Sequence, residues 1–133
     1  MTIAIVRLGS PRLTDEGLRI GTVRRPPRGV PKAEFASRDL YDVWFPNLAP
    51  SEELLKHNFP IDDDKAWRQF SRAYLREMKT PAARHALNLL AALSQHSNFS
   101  VGCYCKVEQY CHRSLLRKLL ADAGAVLRPE PSG

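Results

Sequence analysis

Short runs of β-branched and apolar residues alternate along this chain with longer segments whose apolar residues recur at helical spacing. Residues 2–8, TIAIVRL, predict a buried strand that Gly9, Ser10 and Pro11 bring to an end. Residues 18–23, LRIGTV, set Leu18, Ile20 and Thr22 against Arg19, Gly21 and Val23, the alternation of a second strand. Gly21 inside it marks a bulge or a close approach of backbone. Residues 40–45, LYDVWF, are a third strand candidate. Residues 99–104, FSVGCY, form the last clear strand, and residues 125–127 suit a short edge strand.

Helix signals fill the gaps. Ser51 is a good N-cap, with Glu52 and Glu53 in the first turn of a short helix that runs to about Asn58 and is broken by Pro60. Asp62, Asp63 and Asp64 start a longer helix. Trp67, Phe70, Tyr74, Leu75 and Met78 share one of its faces, and Arg68, Arg72 and Arg76 share another. That basic ridge suits either solvent or a phosphate backbone. Thr80 and Pro81 form the cap and first position of the next helix. Leu87, Leu89, Leu90, Ala91 and Leu93 make it apolar around much of its circumference, which predicts close packing on a sheet. Leu115, Leu116, Leu119, Leu120 and Ala123 give the last helix a core face, and Gly124 is its stop.

With 133 residues the chain fits one domain, residues 1–127, followed by a flexible tail, residues 128–133. No apolar run approaches the roughly 20 residues needed to span a bilayer, so no membrane partner is expected. The N-terminus reads as a strand rather than a signal peptide. Three cysteines, an odd number crowded into residues 103–111, are not a secreted disulfide framework and predict a reducing, cytoplasmic setting.

The net charge of +6 is unevenly placed. Residues 7–32 hold Arg7, Arg12, Arg19, Arg24, Arg25, Arg28 and Lys32 against only Asp15 and Glu16. Such an excess attracts an anionic small molecule or nucleic acid, or simply solubilises the surface. Within it, residues 24–31, RRPPRGVP, form a loop stiffened by three prolines. Loops leaving the C-terminal ends of parallel strands are where ligands bind. Arg24 and Arg28, turned at Gly29, are therefore candidate anion-binding residues, with a solvated surface turn as the alternative.

The densest chemistry lies at Cys103, Cys105, Cys111, His112, Arg113 and Ser114, where a strand passes into a helix. Cys111, at the helix start beside His112 and Arg113, is placed to be a thiolate nucleophile, with His112 as acid or base. Cys105 is a resolving thiol or a second nucleophile candidate, and Cys103 is expected in the core. Arg113, Ser114 and the free N–H groups of the helix start suit phosphate or carboxylate. A cysteine phosphatase loop is excluded, because it sets Cys and Arg closer than the seven residues between Cys105 and Arg113. The spacing C-x-C-x5-C-H is not that of ordinary zinc sites, and adjacent Cys111 and His112 would struggle to meet one ion. No metal and no other cofactor is therefore expected.

The chain resembles the YeaO-like family of uncharacterised proteins (DUF488). The matching residues are Arg24 and Pro27-Arg28-Gly29; Leu48-Ala49-Pro50-Ser51 with Glu53-Leu54; Trp67, Phe70 and Tyr74; and Cys105-Lys106 through Cys111-His112-Arg113-Ser114. Together they cover residues 2–124. Val23, Arg25 and Pro26 depart from the Asp, Leu and Trp common in that branch, where Asn often replaces Cys111. The resemblance implies a small α/β domain with helices around a mainly parallel sheet, and no particular reaction. The residues leave two functions open: an enzyme acting on a phosphorylated, nucleotide or other anionic substrate, or a non-catalytic nucleic-acid or nucleotide binding module.

Overall fold

Four parallel strands, β1 (Ile3–Arg7), β2 (Leu18–Gly21), β3 (Val43–Trp44) and β4 (Phe99–Cys103), form one sheet in the order β1-β4-β2-β3. The structure, a computed structural model, describes residues 1–58, 61–105 and 108–129. Pro60, Lys106 and residues 130–133 of the expected tail lie outside the described residues. Helices α1 (Glu52–Asn58), α2 (Asp64–Glu77), α3 (Pro81–Leu93) and α4 (His112–Asp122) complete an α/β fold. No helix among the described residues is long and apolar enough to cross a membrane.

The last strand in sequence is central in space. β4 pairs with β1 from Ile3↔Phe99 to Arg7↔Cys103, and with β2 from Leu18↔Phe99 to Gly21↔Gly102. Its sequence FSVGC carries no charge and all five residues are buried, as a strand covered on both faces requires. This register brings the ends of β2 and β4 side by side, so the arginine loop and the cysteine segment leave the sheet together.

Local signals account for the helix starts. Asp63 accepts from Ala66 N at 2.7 Å, Thr80 caps Ala83 N with Pro81 following, and Ser51 Oγ accepts from Leu54 N at 3.1 Å. Phe70 and Tyr74 of α2, Leu87 and Leu90 of α3, and Leu116 and Leu120 of α4 bury against Ile3, Ile20 and Val101 of the sheet. Burying side chains of this size contributes about 1.5–3 kcal/mol each.

Four expectations need correction. Leu18 does not share Ile20's burial: it is exposed at the open end of β2, while Arg19 has no exposed surface at all. The third strand shrinks to Val43–Trp44, because Tyr41 turns inward and is buried. Its ring lies over Gly21, where a Cβ would stand 2.5 Å from it, so this glycine admits a ring rather than backbone. α3 packs on α4 and the Pro46–Leu48 turn, leaving Leu89 and Leu93 exposed. The short edge strand after α4 is a single bridge, Ile3↔Leu127, with Arg128 N donating to Ile3 O at 2.8 Å.

Arg19 is satisfied completely. Nε and Nη2 donate to Glu16 at 2.7 and 2.8 Å, Nη1 to Ser10 O and Asp39 O at 2.8 and 2.7 Å, and Nη2 again to Pro11 O at 3.4 Å. Glu16 also accepts from Ser100 Oγ at 2.7 Å and Leu13 N at 3.0 Å. Arg24 does similar work at the sheet's C-terminal end: Nε donates to Pro50 O at 3.0 Å, and Nη2 to Pro46 O and Ala49 O at 3.2 Å each.

Two outcomes are expected. Burial would raise the Glu16 carboxyl, but hydrogen bonds from Arg19, Leu13 N and Ser100 more than reverse this and hold it at about 2, below its ordinary 4.5. Because the folded value is the depressed one, the stabilisation is complete above about 4.5 and is lost as pH falls toward 2, about 3 kcal/mol in all. Denaturant unfolding across that window should show this loss, and Glu16→Gln should flatten it while lowering stability at neutral pH. In Arg24→Lys a single ammonium cannot span three carbonyls, so unfolding should become easier by about 2 kcal/mol.

Candidate functional site

The C-terminal ends of β2 and β4 open into a cavity of about 750 Å³. The loop after β2 contributes Arg24, Arg25, Pro26, Pro27 and Arg28, and the β4–α4 end contributes Cys103, Cys105, Cys111 and His112. Leu40, Leu55, Phe70, Tyr104 and Tyr110 complete a mostly apolar lining. The two halves that the sequence singled out separately thus face one space, at the position where open α/β sheets hold their ligands. Gly29, Arg113 and Ser114 do not line it.

Each reactive side chain is positioned by its element. Cys103 is the last residue of β4 and is buried. The strand stops there, and the chain bends so that Cys105 Sγ returns to 3.7 Å from Cys103 Sγ. Cys111 is the N-cap of α4 in extended conformation, φ −120° and ψ 147°, and its side chain makes no cap hydrogen bond. That leaves its sulfur, 1% exposed, directed at the other two. Ser114 Oγ donates back to Cys111 O at 2.9 Å, so its hydroxyl supports the helix start rather than the cavity.

His112 is the link between the two strand ends. Its Nε2 lies 2.8 Å from Thr22 O, a contact in which the ring nitrogen must donate. The proton held there leaves Nδ1 to face Cys111 Sγ at 3.9 Å. The Tyr74 ring packs against the imidazole with centroids 5.5 Å apart. Neither partner carries a sequence signal: Thr22 acts through its backbone carbonyl, and Tyr74 reads as one more apolar position of a helix face.

The three thiols share charge unequally. Hydrogen bonds from Cys103 and then Cys105 hold the Cys111 thiol far below its ordinary value, against the effect of burial, and His112 adds to them. The sequence points to His112, Arg113 and the helix start for this effect; the neighbouring thiols contribute more. Cys103 is pushed well up by the reverse of the same bonds, first to Cys105 and then to Cys111. Cys105 is lowered by Cys103, but Cys111 and burial more than offset this and leave it at about 11. One thiolate, on Cys111, is the favoured charge state.

The arginines divide by role. Arg24 is spent on backbone carbonyls, and Arg25 pairs with Glu52 at 3.2 Å on the exposed side. Arg28 is exposed at the cavity rim, with no partner among the described residues. Arg113 is buried; Nη2 donates to Cys105 O at 2.7 Å, and its Nε has no partner among the described residues.

Residues 3–124 match the family described as the active DUF488-N3 subclade, DUF488-N3a. No curated protein and no solved structure matches the chain. The matched span contains the arginine loop, the cysteine segment and the sheet that joins them, and the chain belongs to the DUF488 family, within its DUF488-N3a group.

Proposed function

We propose that this protein is an enzyme in which Cys111 acts as a thiolate nucleophile on a small substrate with an apolar body and an anionic group. The observation that carries the reading is the shared cavity, lined at once by the thiol–imidazole cluster and by the stiffened arginine loop. Its volume of about 750 Å³ lies within the usual range for small-molecule sites. Cys111 supplies the charged sulfur, and Nδ1 of His112 is the group that can exchange a proton with a leaving atom. Arg28, held by prolines on a loop of low entropy, is the free guanidinium for the substrate's anion. Cys105, half-buried beside the nucleophile, is placed to resolve an oxidised Cys111. Arg24 supports the loop, Gly29 at φ +72° lets it turn, and Arg113 and Ser114 hold the helix start. Free thiols at this site fit a reducing compartment, the cytoplasm.

A second reading rests on Arg68, Arg72 and Arg76, which are exposed along α2 without ion-pair partners among the described residues. They support a surface for nucleic acid that needs none of the cavity chemistry. Reversing their charge should then weaken nucleic-acid binding and reduce its salt dependence, while leaving Cys111 reactivity unchanged.

Alkylation tests the enzyme reading without a known substrate. Iodoacetamide should modify Cys111 first, as read by peptide mass spectrometry. Since the Cys111 thiol is lowered, the rate should stay nearly flat as pH falls from 8 to 6. A drop of about tenfold per pH unit, the behaviour of an ordinary thiol near 8.5, would sink the reading. The anionic reagent iodoacetate should gain over iodoacetamide in the native chain. Arg28→Glu should erase that gain several-fold while leaving the iodoacetamide rate and the unfolding midpoint in place, because the side chain is exposed.

A further inference from the structure

The cluster at the end of β4 also has the composition and spacing of a coordination sphere. Sγ of Cys103, Sγ of Cys111 and a ring nitrogen of His112 all lie within 4.8 Å of one another, and all three residues are buried. We propose that Cys103, Cys111 and His112, completed by Cys105 from the cavity side, bind one soft divalent cation of the zinc type. This goes beyond the nucleophile reading and does not require it.

Distances support it first. A tetrahedral zinc ion with bonds of about 2.3 Å to sulfur and 2.0 Å to nitrogen sets sulfurs about 3.8 Å apart, and sulfur and nitrogen about 3.6 Å apart. Cys103 and Cys105 sulfurs are 3.7 Å apart, and Cys111 Sγ and His112 Nδ1 are 3.9 Å apart. The widest separation in the three-residue group needs to close by about 1 Å. Adjacency in sequence, which speaks against Cys111 and His112 meeting one ion, is resolved by the backbone. Cys111 is extended and His112 is the first helical residue, and this change of direction turns both side chains into the same cavity.

Two surrounding interactions support it independently. Nε2 of His112 is committed to Thr22 O, the outer bond by which ligating imidazoles are oriented, and it leaves Nδ1 for the ion. Three thiolates around a divalent ion leave one net negative charge in a buried place. Arg113 stands beside it, 4% exposed, with Nη2 on Cys105 O and an Nε unpartnered among the described residues. On binding, the remaining thiol protons pass to solvent and four ligand-to-metal bonds form, with no change of oxidation state. A bound ion takes the Cys111 lone pair, so ion binding and attack by Cys111 exclude each other.

The test uses the full chain, reduced and stripped of metal, titrated with Cd²⁺ and Co²⁺ and followed by thiolate-to-metal charge-transfer absorption. Native mass spectrometry with Zn²⁺ counts the ions. The expected result is one ion per chain, a rise in the unfolding midpoint with Zn²⁺, and protection of Cys111 from iodoacetamide. Cys103→Ser and His112→Ala should each weaken binding by about tenfold or more. Cys105→Ser, a milder change at the cavity edge, should weaken Cd²⁺ binding and reduce the charge-transfer intensity. No charge-transfer band in the native chain, or a band unchanged in all three variants, overturns the proposal. If no ion binds while Cys111 still alkylates rapidly at pH 6, the ion site alone fails. If an ion binds but the metal-free Cys111 behaves as an ordinary thiol, the nucleophile reading alone fails.

Discussion

A guanidinium with no exposed surface holds the back of this sheet in place. Burying Arg19 would cost several kcal/mol if any of its five N–H donors lacked a partner. Each has one, and the partners come from residues 10, 11, 16 and 39. The charge therefore gathers two loops that have no regular structure to order them. Glu16 extends the same network to Ser100 on β4. Pairing of β2 with β4 is thereby fixed by side chains as well as by the backbone ladder, and the site depends on that pairing.

Register governs the other end of those strands. Gly21 faces Gly102 across the ladder, and the residues just beyond are Thr22 on one side and Cys103 on the other. The carbonyl of Thr22 sits where Nε2 of His112 can reach it, so β2 orients an imidazole that belongs to α4. Arg24, two residues on, clamps the loop of residues 46–50 and sets the direction in which Arg28 leaves the sheet. A shift of one residue between β2 and β4 would turn every one of these groups to the other face.

Much of this is legible in the sequence because it is local. The caps at Ser51, Asp63 and Thr80, the apolar face of α2 and the β-branched run of β1 are read within a few residues of themselves. The resemblance carried by residues 24–29, 48–54 and 105–114 points to the two halves of the site. Their meeting is not legible, because it needs β4 to insert between β1 and β2, a pairing across about eighty positions. Arg19 misleads for the same reason. An arginine alternating with Leu18 and Ile20 looks solvent-facing until Glu16, Ser10 and Asp39 are known to surround it. Arg24 has the look of a free cation, and only the path of residues 46–50 reveals three carbonyls waiting for it.

The sulfur cluster shows why three cysteines stand where one would serve a simple nucleophile. The space around them is apolar and Cys111 is almost fully enclosed, so a lone thiol there would stay neutral. Hydrogen bonds from Cys103 and Cys105 replace the water that burial removes, and they spread one negative charge over three polarizable atoms. The charge thus depends on two neighbours that never need to react. The same arrangement, with protons exchanged for a cation, is a set of thiolate ligands. Nucleophile and ion site are two occupancies of one geometry, and Arg113, with its charge buried beside Cys105 O, suits both.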